Sequence, residues 1–151
     1  MSTPVSFQVT VDSRDPHALA RFWAAALHYD LEIETGFVQG LLDAGRITAD
    51  DVVEVDGELF FAIGAAIRHP YGPGRHTPDE RDARRILFLR VEDPTPGKNR
   101  WHLDLNVGED RIEDEVVRLT AFGAEERYRV EEHGQRHVTL ADPDGNLFCV
   151  Q

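Results

Sequence analysis

Apolar and polar residues alternate strictly over Val5-Ser6-Phe7-Gln8-Val9-Thr10-Val11, which predicts a strand with its odd positions covered. The period then changes. Asp15 suits a helix N-cap and Pro16 the first helical position, and Leu19, Phe22, Trp23, Ala26 and Leu27 recur at helical spacing. That stripe is the natural cover for the strand's odd face. A short strand is expected over 31–34, then a helix over 37–44 with Thr35 at its cap and Gly45 closing it. Asp56-Gly57 between Val52-Val53-Glu54-Val55 and Glu58-Leu59-Phe60-Phe61 predicts a tight hairpin, its second arm continuing through Ile63 to Ile67. Another strand follows over 86–91.

Between Arg68 and Arg85 the glycines, prolines and charges, with His69 and His76 among them, read as a long exposed loop or lid. Asp93-Pro94-Thr95-Pro96-Gly97 is a stiff connector poor in ladder donors. After it, Trp101, Leu103, Leu105 and Val107 fall on one face of a predicted strand, and His102, Asp104 and Asn106 on the other. A helix capped by Asp110, with Ile112, Val116, Leu119 and Phe122 along one side, ends at Gly123. Strands over 124–130, 136–141 and 146–150 complete the pattern, the last two joined by the turn Asp142-Pro143-Asp144-Gly145.

The two halves repeat. Ser6 and His102, and Gln8 and Asp104, keep the same parity 96 positions apart, and strand, helix and three strands follow in each half. The expectation is an α+β fold in one domain over 1–151. It is built from two tandem βαβββ modules, about 4–92 (with an insertion over 36–50 and the loop 68–85) and about 98–151. Paired about a pseudo-twofold, they would form a curved mixed sheet with both polar rows in its hollow and the helices outside.

Three motifs carry a resemblance: Asp15-Pro16 with Phe22-Trp23, Lys98-Asn99-Arg100-Trp101-His102-Leu103-Asp104-Leu105, and Ala141-Asp142-Pro143-Asp144-Gly145-Asn146-Leu147-Phe148-Cys149-Val150. With these the chain resembles the glyoxalase, bleomycin-resistance and dioxygenase (vicinal oxygen chelate) superfamily, most closely its glyoxalase-like domain subgroup. The resemblance implies a small-molecule cavity in the concave sheet. In metal-dependent members it also implies a divalent ion held by a His or Gln on each module's first strand and a Glu on its last. Carried over, the second module supplies His102, the first has Ser6 with Gln8 one step inward, and the place of the Glu is taken by Cys149. His102 is thus the only well-matched ligand position. An amide and a thiol suit neither Mg²⁺ nor Mn²⁺, and a Zn²⁺ site of this kind would be weak. No cofactor is therefore expected, with a divalent metal as the lesser alternative.

Each candidate has a functional and a plain reading. His102 and Asp104, two apart on one strand, suit an imidazole acid/base oriented by a carboxylate, or a hydrogen-bonded pair that fixes register. Gln8, Thr10, Asn106 and Thr139 offer neutral donors and acceptors to a ligand, with Phe88 as an apolar wall. Arg90 inside a cup would clamp a carboxylate; at a strand end it is a solvated charge or the partner of Glu92. Lys98-Asn99-Arg100 suits an anion at the rim or a subunit contact. His133 and His137 read as surface residues. Cys149 reads as a small buried hydrophobe, with no sequence neighbour to lower its pKa.

Composition narrows the classes. Of 151 residues, 41% are apolar, enough for one sizeable core, and 28 acidic against 16 basic side chains give a formal charge of -12. Nucleic-acid and anionic-membrane partners, which need clustered Lys and Arg, are excluded on that ground. A single cysteine, no signal-like N-terminus and no run of membrane-spanning length predict a cytoplasmic protein. The expected partner is a small-molecule ligand, with a homodimer as the expected assembly. The function expected is a metal-independent lyase, isomerase or hydrolase-like enzyme using His102. Its alternatives are a drug- or metabolite-sequestering protein, and a metal-dependent glyoxalase or dioxygenase with unusual ligands.

Overall fold

A computed structural model describes residues 9–70, 85–92, 102–132 and 135–151. Two compact units divide the chain, Met1–Pro94 and Thr95–Gln151. The first contains β1 (Val9–Ser13), α1 (Pro16–Leu27), β2 (Asp30–Leu31), α2 (Thr35–Asp43), β3 (Val52–Val55), β4 (Glu58–Phe61), β5 (Gly64–Arg68) and β6 (Arg85–Arg90). The second contains β7 (Asp104–Leu105), α3 (Ile112–Ala121), β8 (Glu125–Glu132), β9 (Gln135–Ala141) and β10 (Leu147–Val150).

Four strands of the first unit pair in the order β1-β6-β5-β2, and those of the second in the order β7-β10-β9-β8. In each, the first and last strands of the module are parallel and the other neighbours antiparallel. Two βαβββ modules of one topology, each an open mixed sheet, are therefore what the internal repeat encodes. In the first module α2 and the β3–β4 hairpin are inserted between the second and third strands of the sheet.

Helix α1 begins where its caps predict: the Asp15 carboxylate accepts the Ala18 N–H at 3.1 Å, Pro16 follows, and His28 closes the helix with φ 55°. Leu19, Phe22, Trp23 and Ala26 are buried. The hairpin forms with Asp56 and Gly57 at φ 53° and 81°, the positive angles its two-residue turn requires. In the second module Ile112, Val116 and Leu119 of α3 are buried, as are Val138, Leu140, Phe148 and Val150 of the sheet.

Several expectations are corrected. The second hairpin arm stops at Phe61; Ala62 and Ile63 make a turn, and β5 starts afresh at Gly64 in the four-stranded sheet. Thr35 lies inside the first turn of α2 and caps nothing, because its hydroxyl donates to the Glu58 carboxylate and accepts the Leu59 N–H at 3.0 Å. That pair of bonds ties the inserted helix to the inserted hairpin. Asp110 sits within a 3₁₀ turn, Glu109–Arg111, that precedes α3. Strand β7 is two residues long where seven were expected, although its backbone bonds to β10 run from Leu103 to Val107. Among the described residues, no helix is long and apolar enough to cross a membrane.

Candidate functional site

Register explains what gathers on the second module. Cys149 on β10 pairs with Thr139 on β9 and with Asp104 on β7, so three side chains stand in one row across the sheet. Their neighbours Val138, Leu140, Phe148 and Val150 alternate with them and form the buried apolar side. The row is held in line by the Cys149 N–H donating to the Leu103 carbonyl at 3.0 Å and the Gln151 N–H to the Leu105 carbonyl at 3.0 Å.

His102 precedes β7, with its Nε2 3.1 Å from Oδ1 of Asp104. Both side chains are 45% exposed, so the pair is open to a ligand. One donor atom each from His102, Asp104 and Cys149 lie within 4.8 Å of one another. The Thr139 hydroxyl, 2% exposed as a residue, is 3.5 Å from the Cys149 sulfur. Asn106 lies farther along, its amide oxygen accepting from the Gln151 side-chain amide at 2.9 Å. Sequence reasoning missed Tyr128. A bulge between Glu126 and Tyr128 shifts the register of β8 so that Tyr128, 46% exposed, faces Thr139.

The first module distributes its predicted residues differently. Gln8, Ser6 and His76 lie outside the described residues, as do Trp101, the tripeptide 98–100 and His133 of the second module. Thr10 is exposed and, as the register partner of Leu87, shares that residue's face. Phe88 is 1% exposed in the core and alternates with Leu87 and Leu89, which line a cavity. Arg90 shares the parity of Phe88 and is exposed at the strand end. Its guanidinium donates to the Ala62 and Arg14 carbonyls at 3.2 Å each, so it braces two loops.

A cavity of about 350 Å³ does open on the face of Leu87 and Leu89, under the inserted residues Val38, Leu59 and Phe61. At one end Arg85 makes a bidentate ion pair with Glu32, Nε to Oε1 and Nη2 to Oε2, each 2.9 Å. Neither residue stood out in sequence.

The sequence profile of the glyoxalase-like domain matches residues 8–151. The chain belongs to the glyoxalase-like domain family. None of the curated proteins matches it. Among solved structures it is similar to a glyoxalase/bleomycin resistance protein/dioxygenase family enzyme from Burkholderia phytofirmans, with a TM-score of 0.58, 16% identity and coverage of 95% of this chain and 94% of that one. It is similar also to the fosfomycin resistance protein FosX of Listeria monocytogenes, complexed with Mn(II) and 1S,2S-dihydroxypropylphosphonic acid. That match has a TM-score of 0.61 and 12% identity, covering 100% and 90% of the two chains. A third is the oxidase ChaP-H2, with a TM-score of 0.53, 14% identity and coverage of 99% and 93%. At these identities the likeness is one of fold.

Manganese suits this glyoxalase-like chain poorly. His102, Asp104 and Cys149 offer one nitrogen, one carboxylate and one sulfur, whereas Mn(II) prefers sites rich in oxygen. The same three donors suit a borderline-soft ion such as Zn(II), for which thiolate and imidazole are ordinary ligands.

Proposed function

We propose that this protein is a small-molecule enzyme of lyase or isomerase type that works without a metal, its reaction centre being the polar row of the second module. The observation that carries the reading is the 3.1 Å contact between His102 Nε2 and Asp104 Oδ1 on a half-exposed face. A carboxylate facing Nε2 favours the tautomer with the proton on that nitrogen, which leaves Nδ1 with a lone pair to accept a proton from substrate. Once Nδ1 is protonated, the imidazolium stays paired with Asp104, and the same nitrogen can return the proton to a different atom. Thr139, Cys149 and Asn106 supply hydrogen-bonding edges beside it, and Tyr128 an aromatic one. In the first module Thr10 is offered on the same terms, as is Gln8. Phe88, 1% exposed, and Arg90, engaged with the Ala62 and Arg14 carbonyls, are left outside the proposed ligand-binding set. A reducing cytoplasm, where the Cys149 thiol stays free, and a homodimeric assembly complete the reading. The test is any substrate that turns over: His102→Ala should lose turnover and keep binding, whereas unchanged turnover rejects the role.

The convergence of three donor atoms favours a second reading, in which His102, Asp104 and Cys149 hold a divalent ion that would polarise a substrate oxygen. Metal analysis of the purified protein separates the two. A stoichiometric ion lost on His102→Ala supports the second reading, and a metal-free protein with full turnover supports the first.

A further inference from the structure

The polar row of the second module does not end at Thr139. Asp104 pairs with Cys149, Cys149 with Thr139, and Thr139 in turn with Tyr128 on β8. Register partners share a face, so these side chains form one line across the four strands, three strand spacings or roughly 14 Å long.

The bulge decides what stands at the far end. Glu126 pairs with Leu140, so an unbroken ladder would set Arg127 against Thr139, and the extra residue sets Tyr128 there instead. Arg129, the next residue and the partner of Val138, belongs to the helix side, where it pairs with Glu113 of α3 and with Glu126. Val130, opposite His137, returns to the side of the row. The 46% exposed phenol ring is thus set beside Val130 and the His137 imidazole, both half-buried. One end of the line holds the imidazole and carboxylate of His102 and Asp104, the other an aromatic surface.

We infer that Tyr128 selects the substrate: an elongated hydroxy or carbonyl compound whose reacting oxygen lies at His102 and whose other end is an aromatic ring stacked on the phenol. The inference rests on the His102 reading above and adds to it the substrate's length and its far end. With a hydrogen bond of about 3 Å at the imidazole, the line leaves roughly 11 Å between that oxygen and the ring. Two rings in offset contact gain more than their buried area alone supplies, which a saturated ring of the same size does not. A shorter compound reaches one end of the line and misses the other.

The test titrates 6-phenylhexan-1-ol into the full chain and follows the ring protons of His102 and Tyr128 by NMR, since an extended hexyl chain covers about that span and its hydroxyl can donate to Nδ1. Both residues are expected to shift and to saturate together. Benzyl alcohol, which keeps both groups without the span, should bind at least tenfold more weakly. The saturated analogue 6-cyclohexylhexan-1-ol should bind roughly 2- to 10-fold more weakly than the phenyl compound. Tyr128→Leu should erase that preference and Tyr128→Phe retain it, with thermal melts showing that the two variants fold. His102→Ala should keep the preference for phenyl over cyclohexyl, so a failed reaction centre and a failed ring site give different results. A Tyr128 ring that does not respond, equal affinity for the two six-carbon alcohols, or a preference that survives Tyr128→Leu overturns the inference.

Discussion

Cys149 and Asp104 are register partners across the parallel β10–β7 pair, so thiol and carboxylate come to lie on one face with His102 within reach of both. The place that the superfamily resemblance reserves for a metal-binding Glu is therefore occupied by sulfur inside a polar cluster. The choice of ion follows from that substitution. Titration with Mn(II) and Zn(II), read by calorimetry, is expected to give no saturable Mn(II) binding, with any divalent affinity falling to Zn(II). Cys149→Glu, which adds a second carboxylate, should raise Mn(II) affinity by at least tenfold. Tight Mn(II) binding by the unaltered protein contradicts this chemistry.

Glu32 and Arg85 form a largely buried pair with side-chain exposures of 7% and 20%. Removing the Glu32 carboxylate takes from Arg85 its bidentate partner beside the apolar cavity wall. Glu32→Gln is expected to cost roughly 2–3 kcal/mol, less than a fully buried pair because Arg85 retains some solvent. Replacing both by Met should recover most of the loss. Urea unfolding midpoints of the two variants measure it, and an additive double variant would show that the two do not depend on each other.

Gly64 approaches β6 so closely that an added Cβ would stand 2.4 Å from the Phe88 carbonyl oxygen. Backbone cannot swing aside as a side chain can. Gly64→Ala is expected to destabilise the protein by roughly 1–3 kcal/mol, as overpacking does, and to disturb the adjoining cavity floor. Thermal unfolding checks this, and an unchanged midpoint would mean that the two strands separate freely.

His17 is buried edge-on against Phe60, ring centroids 5.5 Å apart, and its Nε2 is buried with no partner among the described residues. Desolvation first, and the Arg90 guanidinium second, hold its pKa below the ordinary histidine value. The unfolded chain, with His17 near that ordinary value of about 6.5, therefore takes up the proton first as the solution is acidified. The stability that neutral His17 contributes is complete above that pH and is lost as pH falls through its lowered folded value. Melting at stepped pH should show a decline on the acid side that is smaller in His17→Phe. A variant that follows the same curve would assign the decline to other groups.

Local chemistry made much of this fold legible. Asp15-Pro16 and Asp56-Gly57 act within a few residues of themselves, and both elements form where those residues place them. The shared parity of the two halves likewise anticipated two modules of one topology. What failed to show depends on partners distant in sequence. Arg85-Ile86-Leu87-Phe88-Leu89 is apolar at four successive positions, so alternation alone cannot say that Phe88 is buried in the core while Leu87 and Leu89 line the cavity. The bulge that turns Tyr128 toward Thr139 has no marker such as glycine. Glu32 and Arg85 are 53 positions apart, and their pairing exists only once β2 and β6 flank β5.

Turnover in His102→Ala, set beside Asp104→Asn, tests the central claim most directly. For a substrate found by screening small carbonyl and hydroxy compounds, His102→Ala should lower kcat roughly 10²- to 10⁴-fold, the usual worth of a general acid/base, with KM within a few-fold. Asp104→Asn should lower kcat less, since the imidazole stays in place but loses the carboxylate that fixes its tautomer and orientation. A kcat unchanged in His102→Ala, on a substrate the protein does process, would contradict the account.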